Sequence, residues 1–181
     1  ILMAALISLI ALIAGKLLLE VRLATSLLPV ESLQFILPLA FAPLLVALLT
    51  DGFIAIPIGL WTSFALATMA NHSFSLFITG LVATMVAAYT SRGIRTRRQL
   101  SRVGLLIGLS EVTAVFCVTA LNWRQPDLQE VGLQIAACLV SGFLSAMIAV
   151  LVLHVFENLF GVTTDITLLE LTDLAHPLLQ R

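Results

Sequence analysis

Charge is the scarcest property of this sequence. Only 10% of its 181 residues are Asp, Glu, Lys or Arg, where soluble domains carry about 25%. A chain so poor in charge cannot cover a water-facing surface. That excludes a soluble enzyme, a nucleic-acid module and a disordered tail. Cysteine is nearly absent too. Cys117 and Cys138 both lie inside apolar stretches, which excludes a disulfide framework and reads as small buried apolar side chains. The three histidines, His72, His154 and His176, are scattered, and none stands at the HExxH or CxxC…H spacing of a zinc site. No GxSxG elbow is present for a nucleophilic serine. What is abundant is apolar: 60% hydrophobic residues and a mean hydropathy of +1.12. Such a chain is solvated by lipid.

Six apolar stretches approach the ~20 residues that a span takes: Ile1–Leu19, Leu33–Thr50, Phe53–Ala70, Phe74–Thr90, Val103–Asn122 and Val131–Phe156. Lipid offers backbone amides no water, so each is expected to be helical. Asp51-Gly52 and Asn71-His72-Ser73 are tight turns, which makes the second, third and fourth stretches antiparallel neighbours. The Asn-His-Ser sequence matches a glycosylation sequon, yet a turn flush with the membrane is a poor acceptor. The expected fold is therefore all-α: a polytopic membrane bundle of six transmembrane helices over 1–156, with a short cytoplasmic connector over 157–181. The chain opens on Ile1 inside an apolar run and closes on Arg181 without a stop of its own, which reads as a piece of a longer protein. Ile1–Gly15 lacks the positive n-region and the cleavage site of a signal peptide.

Five of the nine basic residues, Arg92, Arg95, Arg97, Arg98 and Arg102, fall between Ser91 and Arg102. The positive-inside rule makes that segment cytoplasmic. Alternation then sets Glu20–Ser32, Asn71–Ser73 and Trp123–Glu130 outside, and Asp51-Gly52 and both ends inside. Lys16 can snorkel to the outer surface, and Trp123 and Tyr89 fall at opposite interfaces. The arginines also suit anionic lipid head groups. No aromatic or polar reading surface accompanies them, so nucleic acid is not a partner.

Glu111 is the one acid at mid-membrane, about 12 Å into its span at 1.5 Å per residue. A carboxylate there is costly and points by default to function, as a cation site, a proton carrier or a ligand contact. The structural alternative is a protonated acid hydrogen-bonded to a Ser or Thr of a neighbouring helix. Pro38, Pro43 and Pro57 flank the Asp51 turn, and they either bend a pair of helices around a cavity or simply curve the packing. Gly104/Gly108 and Ala137, Ser141, Ser145, Ala149 recur every fourth position, letting helices approach closely. His154 and Glu157 share a helical face, which suggests an ordinary hydrogen bond.

After Glu157 polarity rises. Gly161 can end the last helix, Thr167 and Glu170 stand at capping-box spacing, and Pro177 follows His176 as the first turn of another helix. This stretch, FENLFGVTTDITLLELTDLAHPLLQR, resembles the connector of the bacterial seven-transmembrane receptors with an intracellular HD hydrolase domain. The likeness rests on Phe160-Gly161, Thr163–Glu170 (with Thr164 and Asp165) and His176–Leu179. The earlier proline-bearing second helix and arginine-bearing loop fit the same pattern. The resemblance implies an extracellular domain before this chain and an HD phosphohydrolase domain after it, the latter hydrolysing cyclic di-AMP with a divalent metal pair. The H…HD…D metal residues of that domain are absent here, so no catalytic or metal residue carries over and no cofactor is expected in this chain.

The expected role is the sensor and anchor of a membrane-bound HD phosphohydrolase in the bacterial cytoplasmic membrane. Its relay runs through the last span and the connector residues Phe160, Gly161, Thr164, Asp165, Thr167, Glu170, His176 and Pro177. Expected partners are the lipid bilayer, the protein's own flanking domains and a second copy in a homo-oligomer. The rival reading is a small-solute permease or substrate-binding subunit, which calls for several polar groups converging in one cavity.

Overall fold

The computed structural model describes residues 2–24, 34–50, 52–92, 94, 97–121 and 128–160. Six α-helices and one 3-10 turn make up these residues: α1 (Leu2–Ala24), the turn Gln34–Ile36, α2 (Phe41–Leu49), α3 (Gly52–Met69), α4 (Phe74–Thr90), α5 (Arg97–Leu121) and α6 (Leu128–Phe160). No strand occurs among them. The chain is an all-α membrane bundle.

Its surface is built inside out. Phe53, Trp61, Phe74, Phe116 and Phe143 are exposed, while Thr62, Ser63, Thr79, Thr84, Ser141 and Ser145 are buried. Water would reverse that order. Lipid does not, because large apolar groups are at home in it and small residues let the backbones close up. Among the described residues four helices are long and apolar enough to cross a membrane, at Met3–Glu20, Gly52–Met69, Gln99–Leu121 and Gln129–Val155. The 17-residue α4 falls just short of that length.

The second expected span is not one rod. A 3-10 turn and a break at Leu37–Ala40 precede a helix of nine residues, about 14 Å at 1.5 Å per residue. Pro38 explains the break: it has no amide hydrogen to donate and pushes Leu37 out of helical geometry. The chain closes on itself locally instead, with Leu39 N bonded to Leu37 O at 2.8 Å and Phe41 N to Pro38 O at 3.3 Å. Pro43 does no such damage, because it stands in the first turn of α2, where amides have no helical acceptor anyway. Phe41 through Val46 are buried without a break, so the first turns of α2 are apolar all round, the mark of an enclosed segment, and Ala47–Leu49 are half-buried. It packs against α1, α3, α4 and α6 and is the hub of the bundle.

Around that hub the antiparallel pairs close tightly. A Cβ on Gly59 of α3 would strike Thr84 of α4, and one on Gly80 of α4 would lie 2.6 Å from Ser63 Oγ of α3. Between α5 and α6 the approach is backbone to backbone, at Gly104, Gly108 and Gly142. α1 is peripheral. Among its described side chains it buries Ala4, Ile7, Ala11 and Gly15, one face at helical spacing, and exposes Leu6, Leu9, Ile10, Ile13 and Leu17.

Two boundaries differ from the sequence reading. α5 begins at Arg97 rather than Val103, so Arg97, Arg98 and Arg102 stand in its first turns rather than in a loop. α6 runs 33 residues, longer at both ends than the apolar stretch. Its opening turn holds Glu130, an acid at the positive end of the helix dipole. Between α3 and α4 the expected tight turn is present. Asn71 and His72 both take left-handed backbone (φ 57° and 58°), and Ser73 caps α4 by accepting from Leu76 N at 3.4 Å.

A buried acid facing the interrupted span

Lipid gives a buried hydroxyl two options: bond its own helix or find another. The buried threonines take the first, with Thr62 donating to Gly59 O at 3.1 Å, Thr79 to Ser75 O at 2.7 Å and Thr84 to Gly80 O at 2.7 Å. Ser141 takes the second. Its Oγ donates to Leu37 O at 2.6 Å, fastening α6 to the break in the second span.

Glu111 lies on α5 with 0% of its surface exposed, near the middle of the apolar stretch Gln99–Leu121. Neither carboxyl oxygen has a hydrogen-bond partner of good geometry, although the Ser141 hydroxyl lies close enough to act on it. Cys138, one turn before Ser141 on α6, is fully buried on the same side. An apolar cluster of Phe35, Val115, Ala137 and Cys138, backed by Ile36 and Val112, packs around this point. Val112 and Cys138 also line a shallow groove of about 80 Å³ between α5 and α6, whose only polar linings are Thr119 and Gln134. Ser63 and Ser145 are the other buried hydroxyls without a partner among the described residues.

Three elements thus meet at one polar point: Glu111 from α5, Ser141 from α6 and the Leu37 carbonyl from the break. Glu111 was legible in the sequence. Ser141 entered it only as a small packing residue, and Leu37 O had no sequence signal beyond the proline that follows. Gly142 was missed altogether, although it carries the closest part of the α5–α6 crossing. The prolines do not line a cavity together, since Pro43 is buried and Pro57 exposed. His72 and His154 are exposed and do not converge. Among the described residues no three of His, Cys, Asp and Glu gather where they could hold a metal ion.

The arginine segment is described in part. Arg92 is exposed, with its guanidinium 5.0 Å from the centroid of the Phe53 ring, which sets the start of α3 and the end of α4 at one end of the bundle. Arg102 is exposed on α5. Arg95 lies outside the described residues, as do the side chains of Arg97 and Arg98. Of the connector, Phe160 closes α6. Gly161, Thr164, Asp165, Thr167, Glu170, His176 and Pro177 lie outside the described residues, and the side chain of Glu157 does too.

A broken second span whose 3-10 turn packs close to a buried intramembrane acid, within a bundle of apolar helices, defines a polytopic membrane protein with a polar point in its core. The chain belongs to the family described as 7TM receptor with intracellular HD hydrolase, whose model matches residues 1–164. Among curated proteins it is similar to the cyclic-di-AMP phosphodiesterase PgpH of Bacillus subtilis (strain 168), at 26% identity over 161 residues, 83% of this chain and 22% of that protein. It is also similar to the cyclic-di-AMP phosphodiesterase PgpH of Listeria monocytogenes serotype 1/2a (strain 10403S), at 29% identity over 160 residues, 84% of this chain and 21% of that protein. The chain spans about a fifth of the length of these relatives. No solved structure matches it.

Proposed function

We propose that this chain is the transmembrane sensor and anchor of a membrane-bound HD phosphohydrolase of the bacterial cytoplasmic membrane. The HD domain hydrolyses cyclic di-AMP with its own divalent metal pair, and the last helix carries the signal to it. The choice of substrate is supported by the two relatives, both named cyclic-di-AMP phosphodiesterases. The description of the family supports an intracellular hydrolase domain.

The observation that carries the relay is α6. At 33 residues it is about 50 Å long, against a hydrocarbon core of about 30 Å. One unbroken rod therefore joins Ser141, beside the buried acid, to Phe160 and the connector. A shift of this helix at mid-membrane has no flexible joint in which to dissipate before it leaves the lipid. Glu111 is the sensing point within the bundle, and the residues from Phe160 to Pro177 are the relay. Ser91–Arg102 and both chain ends face the cytoplasm, where the hydrolase domain lies.

A signal acts only if it favours one of two arrangements of the downstream domain. Flexible glycines inserted after Gly161 in the full-length protein should uncouple the halves. Cyclic di-AMP hydrolysis in membranes should keep its basal rate and lose its regulation. Equal regulation with and without the insertion would show that the connector is only a tether.

A further inference from the structure

A serine hydroxyl has one hydrogen. In Ser141 that hydrogen goes to Leu37 O at 2.6 Å, which also accepts from Leu39 N at 2.8 Å. Both lone pairs of the Leu37 carbonyl are therefore engaged, and what Ser141 has left for Glu111 is a lone pair. An oxygen that meets an acceptor must bring the hydrogen itself. No described residue gives either carboxyl oxygen a hydrogen bond.

We propose that Glu111 is an intramembrane proton-binding site, and that Ser141 couples its occupancy to the interrupted second span. With its proton, Glu111 donates to Ser141 Oγ, and Ser141 donates to Leu37 O, a chain from α5 through α6 to the break. When the proton leaves to the medium, the carboxylate competes for the single Ser141 hydrogen. A charge-assisted bond to a carboxylate is about twice as strong as a neutral one, so the hydroxyl turns toward Glu111 and Leu37 O keeps only Leu39. The two states differ in whether α6 is fastened to the segment that leads into α2, the hub of the bundle. The only covalent bond that changes is the O–H bond of Glu111, whose electron pair stays on the carboxylate while the proton passes to the medium.

A metal cation fits this point less well. Hard cations take several oxygen ligands; Leu37 O is already occupied, so only the carboxyl and one Ser141 lone pair are offered. Few other charges bear on the site. On α6 Cys138 is the titratable neighbour, and Glu130 and His154 stand near the two ends of that helix. α4 brings only the exposed Tyr89. The 3-10 turn and α2 bring none. On α5 itself Cys117 and Arg102 are exposed.

The inference deepens the reading of Glu111 as a sensing point, and its test does not depend on the relay. Full-length protein reconstituted in phosphatidylglycerol–phosphatidylethanolamine vesicles is compared by infrared difference spectroscopy between acid and alkaline buffer. Wild type should show a carboxylic C=O band that Glu111→Gln lacks. Ser141→Ala should keep the band and move it to higher frequency, because the acid loses its acceptor. Glu111→Asp should shift the band rather than remove it, which guards against a Gln variant that fails to fold. Identical wild-type and Gln spectra would overturn the site, and so would a band displaced by sodium at fixed pH. A band indifferent to Ser141→Ala would overturn the coupling. If the band behaves as expected while hydrolysis stays unregulated, the proton site stands and the relay falls.

Discussion

The hydroxyl of Ser141 reaches across 104 positions of sequence to the carbonyl of Leu37, at 2.6 Å. Pro38 is the reason the carbonyl is available. A proline at that point breaks the helix, and a break in lipid leaves backbone groups that another helix must satisfy. The bond therefore joins the weakest point of the second span to the longest helix of the bundle.

Ser141→Ala should destabilise the folded bundle by about 1 kcal/mol, the usual net worth of such a bond. Ser145→Ala, one turn further along the same helix, should be neutral or slightly stabilising, because Ser145 Oγ is buried without a partner. Reversible unfolding in mixed micelles measures both. Equal losses at the two serines would mean that the Leu37 bond contributes nothing particular.

Gly142→Ala should be more damaging. Its Cβ would lie 2.5 Å from Gly104 O and 2.6 Å from Gly108 Cα, and backbone cannot move aside as a side-chain tip can. Forcing α5 and α6 apart should cost about 1–3 kcal/mol, the range of an overpacked core. Gly132 lies on the same helix with nothing within 4 Å of an added Cβ, so Gly132→Ala should gain up to about 1 kcal/mol from helix propensity. Thermal denaturation of the two variants in detergent is the comparison, and opposite signs are expected.

Arg92 and Phe53 should be energetically coupled. The guanidinium sits over the exposed ring, a contact worth about 0.5–1 kcal/mol at an exposed site. A double-mutant cycle of Arg92→Ala and Phe53→Leu should return a coupling of that size. A coupling of zero would leave Arg92 only its charge.

Topology is open to chemical labelling. With Cys117 and Cys138 replaced by alanine, a cysteine at Ser101 should react with an impermeant maleimide only after cells are opened, and one at Gln125 should react in intact cells. Labelling of residue 101 from outside would reverse the orientation of the bundle.

That the chain belongs in a membrane was legible because it rests on composition and pattern. Scarce charge, six apolar stretches and an arginine-rich segment are properties of residues wherever they fold, and the solvent they demand follows from transfer energies alone. Glu111 was legible for the same reason: a lone acid deep in an apolar stretch is costly in any arrangement. The likeness to HD-hydrolase receptors began from the connector after Glu157, and the family match over residues 1–164 carries it through the bundle.

Tertiary structure decided the rest. Pro38 marks a break, but whether its freed carbonyl meets lipid, water or another helix depends on what packs beside it, and only the fold brings Ser141 there. Gly142 looks like any other small residue until α5 lies against it. The six buried residues of α2 are as apolar as a lipid-facing helix, and nothing in their hydropathy says which they are. In lipid the hydrophobic effect cannot sort buried from exposed, because the surroundings are as apolar as the core. Close packing and single hydrogen bonds do that sorting, and both are set by distances between residues far apart in the chain.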